Sequence, residues 1–307
     1  MTPLRAALAD YLSVRRALGF KLDHAGRCLA QFVTYLEDQA AGTVTVDHAL
    51  TWATRPSCGA AWQAQRLAMV RGFAVHLRNV DPATEVPPTR LIRSGPRRAT
   101  PYLYTETEIR ALIQAATVLP VPLQVATYQT VIGLLVASGM RVGEVIALDR
   151  DDFDTAQGLL TVRDAKYGKS RQLPLHPSTT AALAGYLGLR DQLHPTTVSP
   201  ALFISQRDTR LLYPQVRHTF LRIVEHAGLT TRSASRRPKI HDLRHSFAVA
   251  TLLGWYRDDA DVAALLPRLS TYLGHAHPRH TYWYLSASPE LLALAGQRLD
   301  TYLGRRR

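Results

Sequence analysis

Four short segments of the chain concentrate residues able to hold or attack a phosphate. In Ala137-Ser-Gly-Met-Arg-Val-Gly-Glu144, Gly139 breaks one helix and Arg141 opens the next, with Glu144 at i+3 to orient it. Free N–H groups at a helix start favour anions, and a guanidinium meets phosphate oxygens in pairs. The second segment, Lys166-Tyr-Gly-Lys169, reads as a hairpin turn that projects two amines. Only four of the 37 basic residues are lysines, and two sit here. Lysine gives up a proton readily and arginine does not, so a proton-donating role would explain the choice. The third is Lys239-Ile-His-Asp-Leu-Arg-His-Ser246, with His241 and Arg244 three apart on one helical face. The fourth, Tyr272-Leu-Gly-His-Ala-His-Pro-Arg-His-Thr-Tyr-Trp-Tyr284, carries a Gly-His step and two tyrosines. Each has a plain alternative: an ion-paired surface arginine, a solvated turn, a capping histidine, packed aromatics. His275, His277 and His280 do not suit a metal. Pro278 interrupts their spacing and no carboxylate lies nearby.

The elements that must position these residues are mostly helical. Leu4, Leu8, Tyr11, Leu12 and Val14 predict a first amphipathic helix, ended by Gly19. Leu29, Phe32, Val33 and Leu36 predict a second. Thr45 caps a short third, and a fourth runs from about Ala60 to Leu77. Residues 1–85 are therefore expected to form a helical bundle. Residues 86–103 form a basic Pro-rich linker, whose Arg90, Arg93, Arg97 and Arg98 could follow a phosphate backbone or simply be solvated. A second domain spans 104–307 and opens with a capping box at Thr105–Glu108. Within it, residues 158–162 and 171–175 predict two strands of a hairpin, and Leu202–Ser205 a further strand. The fold class is mainly α (α+β), with one small antiparallel sheet.

Composition narrows the partners. The 307 residues include 37 basic and 24 acidic side chains, a net charge of +13 that points to a polyanion, nucleic acid before membrane. Two cysteines, Cys28 and Cys58, exclude a disulfide framework and a cysteine-based zinc site. Arg5, Asp10, Arg15 and Arg16 interrupt any leader core, and no apolar run approaches the ~18 residues of a membrane span. A soluble, cytoplasmic protein without a cofactor is expected.

In order along the chain, an Arg, a hairpin Lys, His-x-x-Arg, Gly-His and a Tyr nine residues later resemble the tyrosine recombinase (phage integrase) family. The resemblance covers Thr105 to about Tyr302, and the N-terminal bundle is similar to the family's core-binding domain. The Thr281–Glu290 stretch looks most like transposon-encoded integrases. Lys166 lies eight residues before Pro174, and Tyr284 nine after His275, the family's lysine and nucleophile positions; Tyr282 is left as packing.

The resemblance implies a site-specific recombinase that joins DNA to Tyr284 through a 3′-phosphotyrosine. Arg141, Arg244 and His275 would hold the phosphate, Lys166 would protonate the leaving oxygen, and His241 would help remove the tyrosine proton. A tyrosine hydroxyl ordinarily keeps its proton up to about pH 10, so it needs such help. One phosphodiester replaces another, so neither ATP nor a metal is required. Lys169 and Arg171 are further backbone-contact candidates. The implied partners are double-stranded DNA and three further protomers, a homotetramer on two duplexes, with a possible partner recombinase. The apolar stripe of Leu291, Leu294, Ala295, Leu299 and Tyr302 is either packed on its own domain or donated to a neighbour. A bacterial, nucleoid-associated location follows from the same resemblance. A type IB topoisomerase-like enzyme and a DNA-binding regulator without activity are the alternatives. One departure stands out: Arg244 and His275 are 31 residues apart, with an added turn or loop expected within Gly254–Asp261.

Overall fold

Four helices open the chain: α1 (Pro3–Ala17), α2 (Asp23–Asp38), α3 (Val46–Thr54) and α4 (Ala60–Leu77). The computed structural model describes residues 2–55, 57–94, 100–165, 169–232, 237–275, 277–285 and 288–304. Local chemistry sets the helix starts. The Thr2 and Thr45 hydroxyls accept from the backbone N–H groups of Arg5 and His48. Gly19, with φ of +85°, follows the end of α1. The apolar stripes meet in a core built on Leu29, Phe32, Leu36, Trp52 and Phe73, where Phe32 and Trp52 meet edge to face at 5.2 Å. The chain divides into two units between Ala99 and Thr100. The described parts of the Pro-rich stretch are not free tether. Val86 and Ile92 pack on the first core, and Tyr102 is buried in the second. Their apolar side chains gain more from burial than from solvation.

The second unit contains α5 (Glu106–Ala115), α6 (Pro122–Ser138), α7 (Val142–Ala147), β1 (Phe153–Asp154), β2 (Leu159–Ala165), β3 (Lys169–Pro174), α8 (Pro177–Leu193), α9 (Tyr213–His226), α10 (Asp242–Arg257), α11 (Val262–Tyr272), α12 (Arg279–Leu285) and α13 (Pro289–Gly304). The capping box at Thr105 and Glu108 is present. The mainly helical class with a small antiparallel sheet holds. The sheet has the order β1-β2-β3, with Leu160 opposite both Phe153 and Leu173. Pairing slips between Val162 and Ala165, a bulge-like irregularity in the β2–β3 ladder.

Two expectations need correction. Leu202–Ser205 forms no strand, although Leu202, Phe203 and Ile204 are buried; only single bridges occur, Ala201 with Asp149 and Ile204 with Arg210. The chain turns at Asp208, in the left-handed region with φ of +55°, before a ladder can extend. The sheet's third strand is instead Phe153–Asp154, two residues long and too short for a periodicity to show. The Gly254–Asp261 segment is helical in its first half, where it completes α10, and a turn in its second. Asp261 then caps α11 through the Ala264 N–H. That turn receives Arg298 of α13, whose guanidinium donates to the Ala260 and Tyr256 carbonyls. Leu291 is buried against the domain's own α10–α12 cluster, Leu294 and Ala295 are half-buried, and Leu299 is 57% exposed; the Tyr302 side chain lies outside the described residues. Among the described residues no helix is long and apolar enough to cross a membrane.

Candidate active site

The site grows from two chain reversals that require glycine. Helix α6, apolar on every side, ends at Gly139 with φ of +59°. A Cβ there would lie 2.3 Å from the Phe247 ring. Helix α11 ends in a Schellman turn: the Gly274 N–H donates to the Thr271 carbonyl and the His275 N–H to that of Ser270. Gly274 takes φ of +66°, and a Cβ would sit 2.8 Å from Arg171 Nη1. The Gly-His step is thus the helix stop itself, and it delivers His275 as the first residue beyond the turn.

Around these reversals three arginines converge. Arg141 precedes α7; its Nη1 donates to Glu144 Oε1 at 2.7 Å and its Nη2 to the Gly274 carbonyl at 3.1 Å. Arg244, only 2% exposed, donates from Nη1 to the Gly139 carbonyl and from Nη2 to the Leu273 carbonyl, both at 2.7 Å. Arg171 Nε donates to the Tyr272 carbonyl at 2.9 Å. Three consecutive carbonyls at the negative end of α11 therefore bind three guanidinium groups. Burial pulls the Arg244 pKa down to about 10, with Arg141 adding to the pull, so it stays charged at neutral pH.

Glu144 is the anion that holds this cationic cluster. Its buried carboxylate accepts from the Arg141 backbone and side chain, and from Arg171 Nη2 at 2.9 Å and Nη1 at 3.2 Å. Burial pushes its pKa up, but the bonds from Arg171 and Arg141 outweigh that and hold it below the ordinary value. Arg171 was expected to reach toward a DNA backbone. It instead turns inward, because its strand face is the one that meets Glu144 and α11. Replacing it by Ala should cost about 3 kcal/mol, as for other broken buried pairs, read by chemical denaturation. The salt slope of DNA binding should not change, whereas losing a phosphate contact would lower it by about one.

His275 and Tyr284 complete the cluster. The His275 Nδ1 lies 2.7 Å from the Thr281 hydroxyl, and its ring stacks on Tyr284 with centroids 6.0 Å apart and a 23° interplanar angle. Burial first, then Arg244 and Arg141, push the His275 pKa down to about 3, so the imidazole is neutral. Tyr284 on α12 is 3% exposed and lies beside Arg244, whose charge it helps to stabilise. Tyr282, expected to be the packed aromatic, is 54% exposed. His241, at the start of α10, is open to solvent on one edge; the packing on its other side, Arg244 and Arg141 lower its pKa. Between it and Tyr284 lies His245, with ring centroids 5.0 Å and 5.4 Å from each.

The His275 shift has a pH consequence. The unfolded chain takes up a proton near pH 6.5, the folded one near pH 3. Between those values the unfolded state binds more protons, so this group makes stability fall as pH falls. The wild-type protein should lose more stability than His275→Gln across that window, measured by denaturant titration. A parallel pair of curves would contradict the burial of a neutral ring.

The structure thus brings Arg141, Arg244, His275 and Tyr284 together, with His241 alongside. Lys166, Arg97 and Arg98 lie outside the described residues; Lys169 opens β3. Arg90 and Arg93 are exposed on the first unit. Thr281 and His245 were not anticipated, since a lone threonine or histidine in a helix carries no spacing signal.

The sequence profile of the phage integrase family matches residues 103–290. The Sinorhizobium fredii protein y4rB, described as an integrase/recombinase, is 42% identical across 98% of this chain and 98% of its own. The integrase of transposon Tn1549, solved with circular intermediate DNA, superposes with a TM-score of 0.64 at 14% identity, covering 95% of this chain and 99% of that one. A lambda integrase tetramer on a Holliday junction gives 0.58 at 20% identity over 92% and 76%.

Proposed function

Since the chain belongs to the phage integrase family, we propose that it cuts and rejoins DNA site-specifically through a phosphotyrosine on Tyr284, to integrate or excise a mobile element. The observation that carries this reading is the convergence of Arg141 and Arg244 on the carbonyl end of α11, beside His275 stacked on Tyr284. A phosphodiester gains charge as it is attacked, and preorganised donors stabilise that charge most where water is excluded. Arg244 spends two of its five N–H groups on carbonyls, and the rest remain for Tyr284 and a phosphate oxygen. Arg141 supplies the second fork and His275 a third donor. Attack by the Tyr284 oxygen forms the O–P bond while the bond to the 5′ oxygen breaks. Lys166 protonates that oxygen, and His241 takes the tyrosine proton. A 5′-hydroxyl from partner DNA reverses the step.

DNA is the partner and the enzyme works as an assembly. Four protomers on two duplexes are the form that exchanges strands, a reading supported by the lambda integrase tetramer bound to a Holliday junction. Arg90, Arg93, Arg97, Arg98 and Lys169 contribute sequence-independent backbone contacts, and the helical N-terminal unit a second DNA-contacting body. A cytoplasmic, nucleoid-associated location in a bacterium fits this work.

Covalent trapping tests the reading. The protein is incubated with nicked duplexes covering the DNA that flanks its own gene, denatured in SDS and digested, and the DNA-linked peptide is sequenced by mass spectrometry. An adduct on Tyr284 is expected. Salt-sensitive binding without any adduct would favour a DNA-binding regulator, and plasmid relaxation without recombinants a topoisomerase-like enzyme.

A further inference from the structure

We propose that Thr281 is a positioning residue: its hydroxyl donates to His275 Nδ1 and so keeps the imidazole proton on Nε2, the nitrogen turned away from it. Thr281 is fully buried, and its Oγ1 lies 2.7 Å from His275 Nδ1. Either atom can carry the shared proton, and the two arrangements have opposite consequences. If Nδ1 donated, the threonine hydroxyl proton would need another acceptor. Among the described residues its hydroxyl meets only His275, and the Thr281 N–H takes the Pro278 carbonyl. A buried hydroxyl without an acceptor costs about 1–3 kcal/mol. The opposing influence is the positive charge of Arg141 and Arg244, which favours a lone pair on the far nitrogen. That field is reduced, because Glu144 faces Arg141 and the carbonyls of Gly139, Leu273 and Gly274 face both guanidinium groups. The buried hydroxyl decides the tautomer.

The neutral ring then presents an N–H at Nε2. This makes His275 a donor to a phosphate oxygen and removes it as the acceptor of the Tyr284 proton, which falls to another group. The consequence for cleavage rests on the recombinase reading; the tautomer does not.

The test uses full-length protein labelled with nitrogen-15 at histidine. Long-range proton–nitrogen NMR correlations separate the two tautomers, and the His275 pattern is the one lost in His275→Gln. The expected pattern is Nε2-protonated in the wild type and altered in Thr281→Val, with Thr281→Ser restoring it. On nicked duplex, Thr281→Val should cleave about 10- to 100-fold more slowly, up to the loss of one preorganised donor, with DNA affinity unchanged. An Nδ1-protonated wild type, or an unaltered tautomer in Thr281→Val, would overturn the proposal. Absence of covalent product in the wild type would count against the recombinase reading alone, since the NMR result stands without it.

Discussion

Tyr284→Phe is expected to abolish the covalent DNA complex while leaving DNA binding intact. The change removes one oxygen from a ring that is 3% exposed, so the packing of α12 against His245 and His275 survives. What disappears is the nucleophilic hydroxyl beside Arg244. Losing this buried hydroxyl should cost the folded protein only about 1 kcal/mol. No neighbour can substitute. Tyr282 is two residues earlier, which at about 100° per residue places it on the far side of the helix, where it is 54% exposed. The measurement is the SDS-resistant protein–DNA band formed on nicked duplex, alongside a binding isotherm at the same salt. A residual adduct mapping to Tyr282 would move the nucleophile and require α12 to rotate on binding DNA.

Arg244→Lys is expected to cut the cleavage rate by about 10²–10³-fold, the loss typical of one preorganised donor, with little change in affinity. Lysine keeps the charge, but its ammonium cannot span the Gly139 and Leu273 carbonyls and still reach both Tyr284 and a phosphate. Arg244→Ala should be worse for folding as well, by about 2–4 kcal/mol, because two buried carbonyls lose their donors. Single-turnover cleavage at saturating protein isolates the rate from binding, and denaturant titration separates the two variants. Equal rates for wild type and Arg244→Lys would show that only charge matters at this position. Most of the binding affinity should be insensitive to either change, since Arg244 is one of 33 arginines and lies beneath the surface.

By itself the sequence determined the helices and the order of the chemistry. Their signals are local: Thr45 and Thr105 cap the helices they precede, Gly139 and Gly274 sit where the backbone must turn left-handed, and α4 keeps the bounds its apolar spacing predicts. The sequence also ordered Arg141, His241, Arg244, His275 and Tyr284 along the chain and paired Arg141 with Glu144 three residues away. Contacts across long separations were decided by tertiary structure alone. Arg171 meets Glu144 across 27 residues and the Tyr272 carbonyl across 101. Nothing in its type or neighbours says which strand face is inward, particularly beside a register slip. Tyr282 and Tyr284 are both aromatic and two apart. Only the packing of α12 on α10 buries one and exposes the other. Leu202–Ser205 has strand-forming residues but no ladder, because a strand is a property of a pair and its neighbour turns away. Helix caps and stops are satisfied by atoms within one turn of chain. The orientation of a buried charge is satisfied by whichever carbonyls and carboxylates the fold brings within reach.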